Sequence, residues 1–269
     1  MANLDVSLAP PVIGKIGPLA ITNAMVSTLT VSALLIIFAI IVRRRLNVVP
    51  GRLQVLVEML VGFIMGKMTM IFGNEEKARK YFPLLFTIFI FLIFSNYFTL
   101  IPFIESIIIG EDIHLFTTPT SHYSLTITLA LVMIGTSHIM AFMVSPLRHI
   151  GNFIKLEPLL KGIKNRSGQE IGMAFIDIFL GFMDIVGEIA KLISVSTRLF
   201  GNMFAGGVII GVISAISFYT QFLAPLPFIT LGLLTGFVQA FVFTMLGMIF
   251  ISSLTNAVEP QKNPETATT

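Results

Sequence analysis

Arg198 heads a run from Leu199 to Val258 that contains no Asp, Glu, Lys, Arg or His. A guanidinium keeps its proton, so a charge beside so much apolar chain is costly, and membrane proteins retain such residues for ion pathways, voltage sensing or ligand counter-charge. Asp177, Asp184, Glu188 and Lys191 lead up to it, so that the five charges are spaced by 7, 4, 3 and 7 residues. On a helix they fall within roughly 80° of arc, with Glu170 and Asn202 projecting to the same side. The result is a polar stripe on an otherwise apolar rod. An interfacial helix with a solvated face would show the same stripe. Length argues against that for the whole of residues 171–217, which would extend about 69 Å against a hydrocarbon layer of about 30 Å. The segment must tilt strongly or break near Gly201, Gly206, Gly207 or Gly211, and its stripe must face protein or water.

Composition sets the class. Hydrophobic residues make up 55% of the 269, charged residues 12%, and the mean hydropathy is +0.92. These values belong to an integral membrane protein. Apolar spans are expected at about 19–42, 81–104, 123–146, 171–217 and 227–256. Residues 50–72 are apolar but interrupted by Arg52, Glu58 and Lys67, which suits a helix lying in the interface. The fold class expected is all-α, with five transmembrane helices, one interfacial helix, and a long tilted helix packed as a hairpin with the last. Residues 1–258 form a single membrane domain and 259–269 a short polar tail. Basic residues follow the first span (Arg43, Arg44, Arg45, Arg52), precede the second (Lys77, Arg79, Lys80) and separate the third from the fourth (Arg148, Lys155, Lys161, Lys164, Arg166). The loops 105–122 and 218–226 hold no Lys or Arg. The N-terminus is therefore expected outside and the C-terminus inside. The opening MANLDVSLAPPVIGKIG carries Asp5 and no basic leader, unlike a cleavable signal peptide.

Enzyme chemistry has no visible seat. There is no phosphate loop, nucleophile elbow or His/Glu pair at zinc-ligand spacing, and the absence of cysteine removes disulfides and thiolate chemistry. No cofactor and no metal site are expected. The net charge of +3 is accounted for by topology, without a nucleic-acid footprint. His114, His122, His138 and His149 read as structural or solvated residues, and only His138, inside the third span, is a proton-relay candidate. Two mechanisms could use the stripe. In one, the chain is a stator: ions enter along Asp177, Asp184 or Glu188, meet a carboxylate on a partner, and leave by another path, with Arg198 lowering that carboxylate's pKa. In the other, the chain is an independent secondary transporter or channel, with Arg198 as counter-charge. Carriers show duplicated halves with matching broken helices, and residues 1–140 and 141–269 show no duplication.

The run SVSTRLFGNMFAGG at 194–207, followed by FVQAFVFTMLGMIFISS at 237–253, closely resembles subunit a of the F-type ATP synthase. VPGRLQVLVEMLVGF at 49–63, PLLFTIFIFLIFSNYFTLIP at 83–102 and PTSHYSLTITLAL at 119–131 agree in order along nearly the whole chain. The resemblance implies that Arg198 is the family's essential arginine beside a ring of c subunits, each with an ion-binding carboxylate. It also implies two offset aqueous half-channels, and ring rotation that drives ATP synthesis in the separate F1 sector, with no bond chemistry in this subunit. Implied partners are the c-ring, the b subunits of the peripheral stalk, F1 indirectly, and lipid, in a bacterial plasma membrane. Asn202 and Gln239 match polar neighbours of the arginine, Asn96 a half-channel position, and Asp184 and Lys191 upstream polar positions.

The sequence departs from the family where many relatives have an acid or histidine after the arginine motif and a partner in the last helix. Gly207 and Gly232 stand there. Thr99, His122 and Ser124 also replace polar residues found in relatives. Gly207 and Gly211 form one small-xxx-small pair and Gly232 and Gly236 another. An antiparallel register setting Gly207 against Gly236 and Gly211 against Gly232 predicts a close backbone contact, with Gln239 opposite Phe204. The inlet's polar duty then falls on Asp184, Glu188, Asn96 or His138.

Overall fold

A computed structural model of the chain describes residues 11–17, 19–98, 108–109, 113–114, 116–153, 168–216 and 225–258. Two antiparallel strands, β1 (Val12–Ile16) and β2 (Leu19–Thr22), precede helices α1 (Asn23–Arg44), α2 (Arg52–Phe72) and α3 (Glu75–Phe98). A two-residue pair, β3 (Ile108–Ile109) and β4 (Ile113–His114), and a 3₁₀ turn at Pro119–Ser121 follow. Helices α4 (Tyr123–Val144), α5 (Pro146–Phe153), α6 (Gly168–Ile216) and α7 (Pro225–Val258) complete the described chain. The all-α membrane architecture stands, with these small hairpins added. The first helix starts at Asn23 rather than 19, because Leu19–Thr22 pairs as a strand and the Thr22 hydroxyl then accepts from Met25 N–H as the N-cap. The tail 259–269 and Thr99 lie outside the described residues.

Among the described residues, five helices are long and apolar enough to cross a membrane: α1, α2, α3, α4 and Leu226–Ala257 within α7. Helix α2 is one of them, although its three interrupting charges suggest an interfacial position. It stops where Gly73 takes a left-handed φ of 64° and its N–H closes on Thr69 O. A side chain would be strained there, and glycine is not. Asn74 then caps α3 by accepting from Glu76 N–H at 2.8 Å. The 49 residues of α6 run unbroken, about 74 Å of helix. Its glycines do not interrupt the hydrogen-bond ladder, so tilt or curvature must accommodate the length.

The chain divides into two compact units, Met1–Leu129 with Val195–Met248 and Ala130–Ser194 with Ile249–Thr269. In the first, Ile64 and Met68 of α2, Leu85, Phe89 and Leu92 of α3, Leu199 of α6 and Phe243 of α7 are fully buried. Aromatic pairs fasten its helices: Phe38 to Phe94, Phe63 to Phe241, Phe72 to Tyr81 and Phe89 to Phe237, with ring centroids 5.2–6.1 Å apart. In the second, Ala130, Met133, Ala141 and Ile251 are buried.

Candidate ion-translocation site

In the first unit, Arg198, Asn202, Ala205, Ile209 and Val212 are exposed at helical spacing, while Val195, Ser196 and Leu199 are buried. One face of this part of α6 packs inward and the face bearing the guanidinium is left uncovered. Among the described residues Arg198 has no ion pair. One turn on, Asn202 Nδ2 donates to Gln239 Oε1 at 2.7 Å. Gln239 is buried, so its amide belongs to this inter-helical contact.

Asn96, on α3, meets α7 about one turn before Gln239. Its Nδ2 donates to Gly236 O at 2.9 Å and its Oδ1 accepts from Thr120 Oγ1 at 2.8 Å. Tyr97 donates its hydroxyl to Leu233 O at 2.9 Å. Both carbonyls belong to α7, so α3 grips one turn of that helix just before Gln239. A Cβ on Gly236 would meet Asn96 Cβ and Tyr97 Cε1, each at 3.2 Å. Nearby, His122 is buried with Nε2 2.9 Å from Thr117 Oγ1, and burial holds its pKa below the usual histidine value.

The expected contact of Gly207 with Gly236 is not formed. A Cβ on Gly207 would touch nothing within 4 Å, whereas the space beside Gly236 is filled by α3. Gln239 meets Asn202 rather than Phe204, whose ring stacks on Phe200 at 5.1 Å. The register of two isolated helices omits the third helix that competes for the small residue. Gly211 and Gly232 are half-buried on α6 and α7.

The second unit holds a separate ionisable cluster. Lys191 Nζ lies 2.7 Å from Glu188 Oε1 and 5.3 Å over the Phe250 ring. Glu188 Oε2 lies 3.5 Å from His138 Nε2, and His138 Nδ1 lies 3.3 Å from His149 Nε2. Asp184 is exposed and Asp177 half-buried on α6. The stripe thus contributes Glu188 and Lys191 to one assembly, to which α4 and α5 add a histidine each. His149 was not singled out by its sequence. It lies beyond the Pro146 turn on a different helix, and no periodicity links it to His138. Tyr97 as a partner of α7, and Thr120 as a partner of Asn96, were likewise invisible.

The pattern of an exposed arginine with an Asn–Gln contact on two long helices meets a match to known proteins. A family model described as "ATP synthase A chain" matches residues 25–252. The chain belongs to that family. The chain is 30% identical to "ATP synthase subunit a" of Geotalea daltonii over 85% of its length and 86% of the relative's. It is 31% identical to "ATP synthase subunit a 1" of Syntrophotalea carbinolica, over 80% and 77% of the two chains. With "ATP synthase subunit a 2" of Bradyrhizobium sp. strain BTAi1 it shares 30% identity over 90% and 93%. The family's role lies in the F0 sector of ATP synthase, within a complex of F0 and F1 subunits. The chain is a multi-pass membrane protein.

Proposed function

We propose that the chain is the stator half of a rotary ion motor, with Arg198 facing a ring of c subunits. The observation that carries this reading is the uncovered Arg198 face of α6. A fixed positive charge followed along the same face by exposed Ala205, Ile209 and Val212 offers an apolar docking strip with one counter-charge. A carboxylate on a partner helix brought to that strip would be stabilised in its ionised form by the guanidinium, and would release its ion. It would be neutralised again on leaving. Gln239 and Asn202 brace the face beside the arginine, and Asn96 holds the α7 turn that presents Gln239. Glu188, Lys191, Asp184 and His138 serve one aqueous path, on the end of α4 that leads into the basic segment and hence to the inside. The stretch around Asn96, Thr120 and His122 borders the loop without basic residues and serves the outer path. Gly207 and Gly232 carry no side chain to take that duty.

Partners under this reading are the c-ring, the b subunits, F1 indirectly and lipid, with the N-terminus outside. The discriminating experiment is gentle purification of the tagged chain from its own membranes. Co-purification with a c-ring and the F1 subunits is expected. Isolation of a chain that transports ions by itself in vesicles, without those subunits, would establish the independent carrier or channel instead.

A further inference from the structure

The second unit brings three titratable groups from three helices into a line. Glu188 is on α6, His138 on α4 and His149 on α5, and His138 stands between the other two with one ring nitrogen toward each. A carboxylate can only accept, so the proton in the Glu188 contact belongs on His138 Nε2. A neutral His138 then has its lone pair on Nδ1, and His149 Nε2 is the donor to it. Every contact in the line has one proton and one acceptor. A metal ion would need lone pairs converging on one point, and these point along a chain. We propose that His149, His138 and Glu188 form a proton-exchange relay that links the basic-segment side of the membrane to the carboxylate of α6, with His149 as its outermost member. This rests on the stator reading above and extends it to a residue with no role there.

One transfer balances as follows. A proton brought by a water admitted to His149 Nδ1, an atom buried in the resting structure, binds there, the Nε2 proton of His149 passes to His138 Nδ1, and the Nε2 proton of His138 passes to Glu188 Oε2. Glu188 becomes neutral and both rings hold the opposite tautomers. Turning of the two rings, after Glu188 has given up its proton, resets the line, and the reverse sequence carries a proton outward. The 3.3 and 3.5 Å separations are long for hydrogen bonds and shorten when a proton is in transit.

The surroundings suit a relay near neutral pH. On α6 the charged neighbours are Asp184, exposed, and Lys191, which pairs with Glu188. On α5 the only other charge is Arg148, exposed, and the described α7 segment of this unit, 249–258, has no ionisable side chain. Burial and the nearby His138 push the His149 pKa down, while Glu188 pulls it part of the way back, so the ring rests neutral and sheds a proton readily once it has taken one. Lys191 Nζ stays 2.7 Å from Glu188 Oε1, leaving Oε2 to His138. A chain of imidazoles passes protons and not metal cations, so the relay is useful only if the coupling ion is H⁺.

The test uses the whole ATP synthase reconstituted in vesicles, with ATP-driven acidification and gradient-driven ATP synthesis followed across pH. H149Q keeps an N–H for His138 but cannot carry a proton through its ring, and H149A leaves a space that imidazole in the medium can fill. Expected are normal assembly of H149Q, proton transfer slowed by about 10²-fold, loss of the histidine-range limb of the pH profile, and recovery of H149A but not H149Q by imidazole. H149Q with wild-type rates and pH profile overturns the relay, as it would for a sodium-coupled motor. H149A that is slow and unmoved by imidazole also overturns it, showing that the ring only packs. If H149Q does not assemble, the imidazole response of H149A decides. R198A run alongside separates the two ideas: coupled synthesis surviving in R198A sinks the stator reading, whereas a dead R198A with an unaffected H149Q sinks the relay alone.

Discussion

Asn202 Nδ2 and Gln239 Oε1 lie 2.7 Å apart, joining α6 to α7 one turn from Arg198. The contact ties the arginine-bearing helix to a helix that is itself gripped by Asn96 and Tyr97. The turn of α6 that follows the arginine is thereby tied to its neighbours by side chains, and among the described residues Arg198 has no ion pair.

Arg198→Ala removes a charge that no pH change can restore, and Arg198→Lys replaces a planar fork with a flexible point charge. Both variants should leave the complex assembled. Alanine should abolish coupled ATP synthesis and ATP-driven pumping, and lysine should leave only a small residue of either. Assembly is read by co-purification of the F0 and F1 subunits, and coupling in vesicles.

Gln239→Leu should strand the Asn202 amide and slow coupled synthesis. Asn202→Ala should do the same, and the double variant should be little worse than either. A double-mutant cycle on the synthesis rate should give a coupling of about 0.5–3 kcal/mol. Strict additivity would show that the two amides act independently.

Gly236→Ala places a methyl group 3.2 Å from Asn96 Cβ and from the Tyr97 ring, and so should loosen the α3–α7 contact. The cost expected is about 1–3 kcal/mol, as for other overpacked sites. Gly207→Ala meets open space and should cost little, within about 0.5 kcal/mol. Thermal unfolding of the detergent-solubilised subunit compares the two.

Burial depresses the pKa of both His122 and His149. Between the depressed folded value and the ordinary one of about 6.5, the unfolded chain binds more protons than the folded one. The stability contribution is therefore complete above about pH 6.5 and is lost as pH falls from there toward the folded pKa. His122→Gln, which keeps a polar partner for Thr117, should flatten part of that dependence. Unfolding temperatures measured from neutral to acid pH test it.

Single cysteines at Asp184, Glu188 and Lys191 should react readily with small water-soluble thiol reagents, since the chain supplies no competing thiol. Cysteines at Phe182 and Ile189 should lag, because these apolar, exposed positions suit hydrocarbon rather than water. Uniform reactivity around α6 would point to a wholly solvated helix.

The sequence by itself determined the membrane class, the approximate helices, the polar stripe, and Arg198 at the head of an uncharged run. Those features are set by composition and by the angle each residue takes around its own helix, and both are local. The helix-long continuity of α6 through Gly201, Gly206, Gly207 and Gly211 was not legible, because glycine permits a break without requiring one. Contacts between helices were not legible either. Asn202 meeting Gln239, Asn96 meeting Gly236, and His149 closing the line to Glu188 each depend on crossing geometry and on which third element takes the available space. The glycine register fails for that reason: two helices alone allow it, and α3 occupies the groove at Gly236 first. Only the tertiary structure decides such competitions, since packing energy belongs to the whole set of neighbours and not to any one helix face.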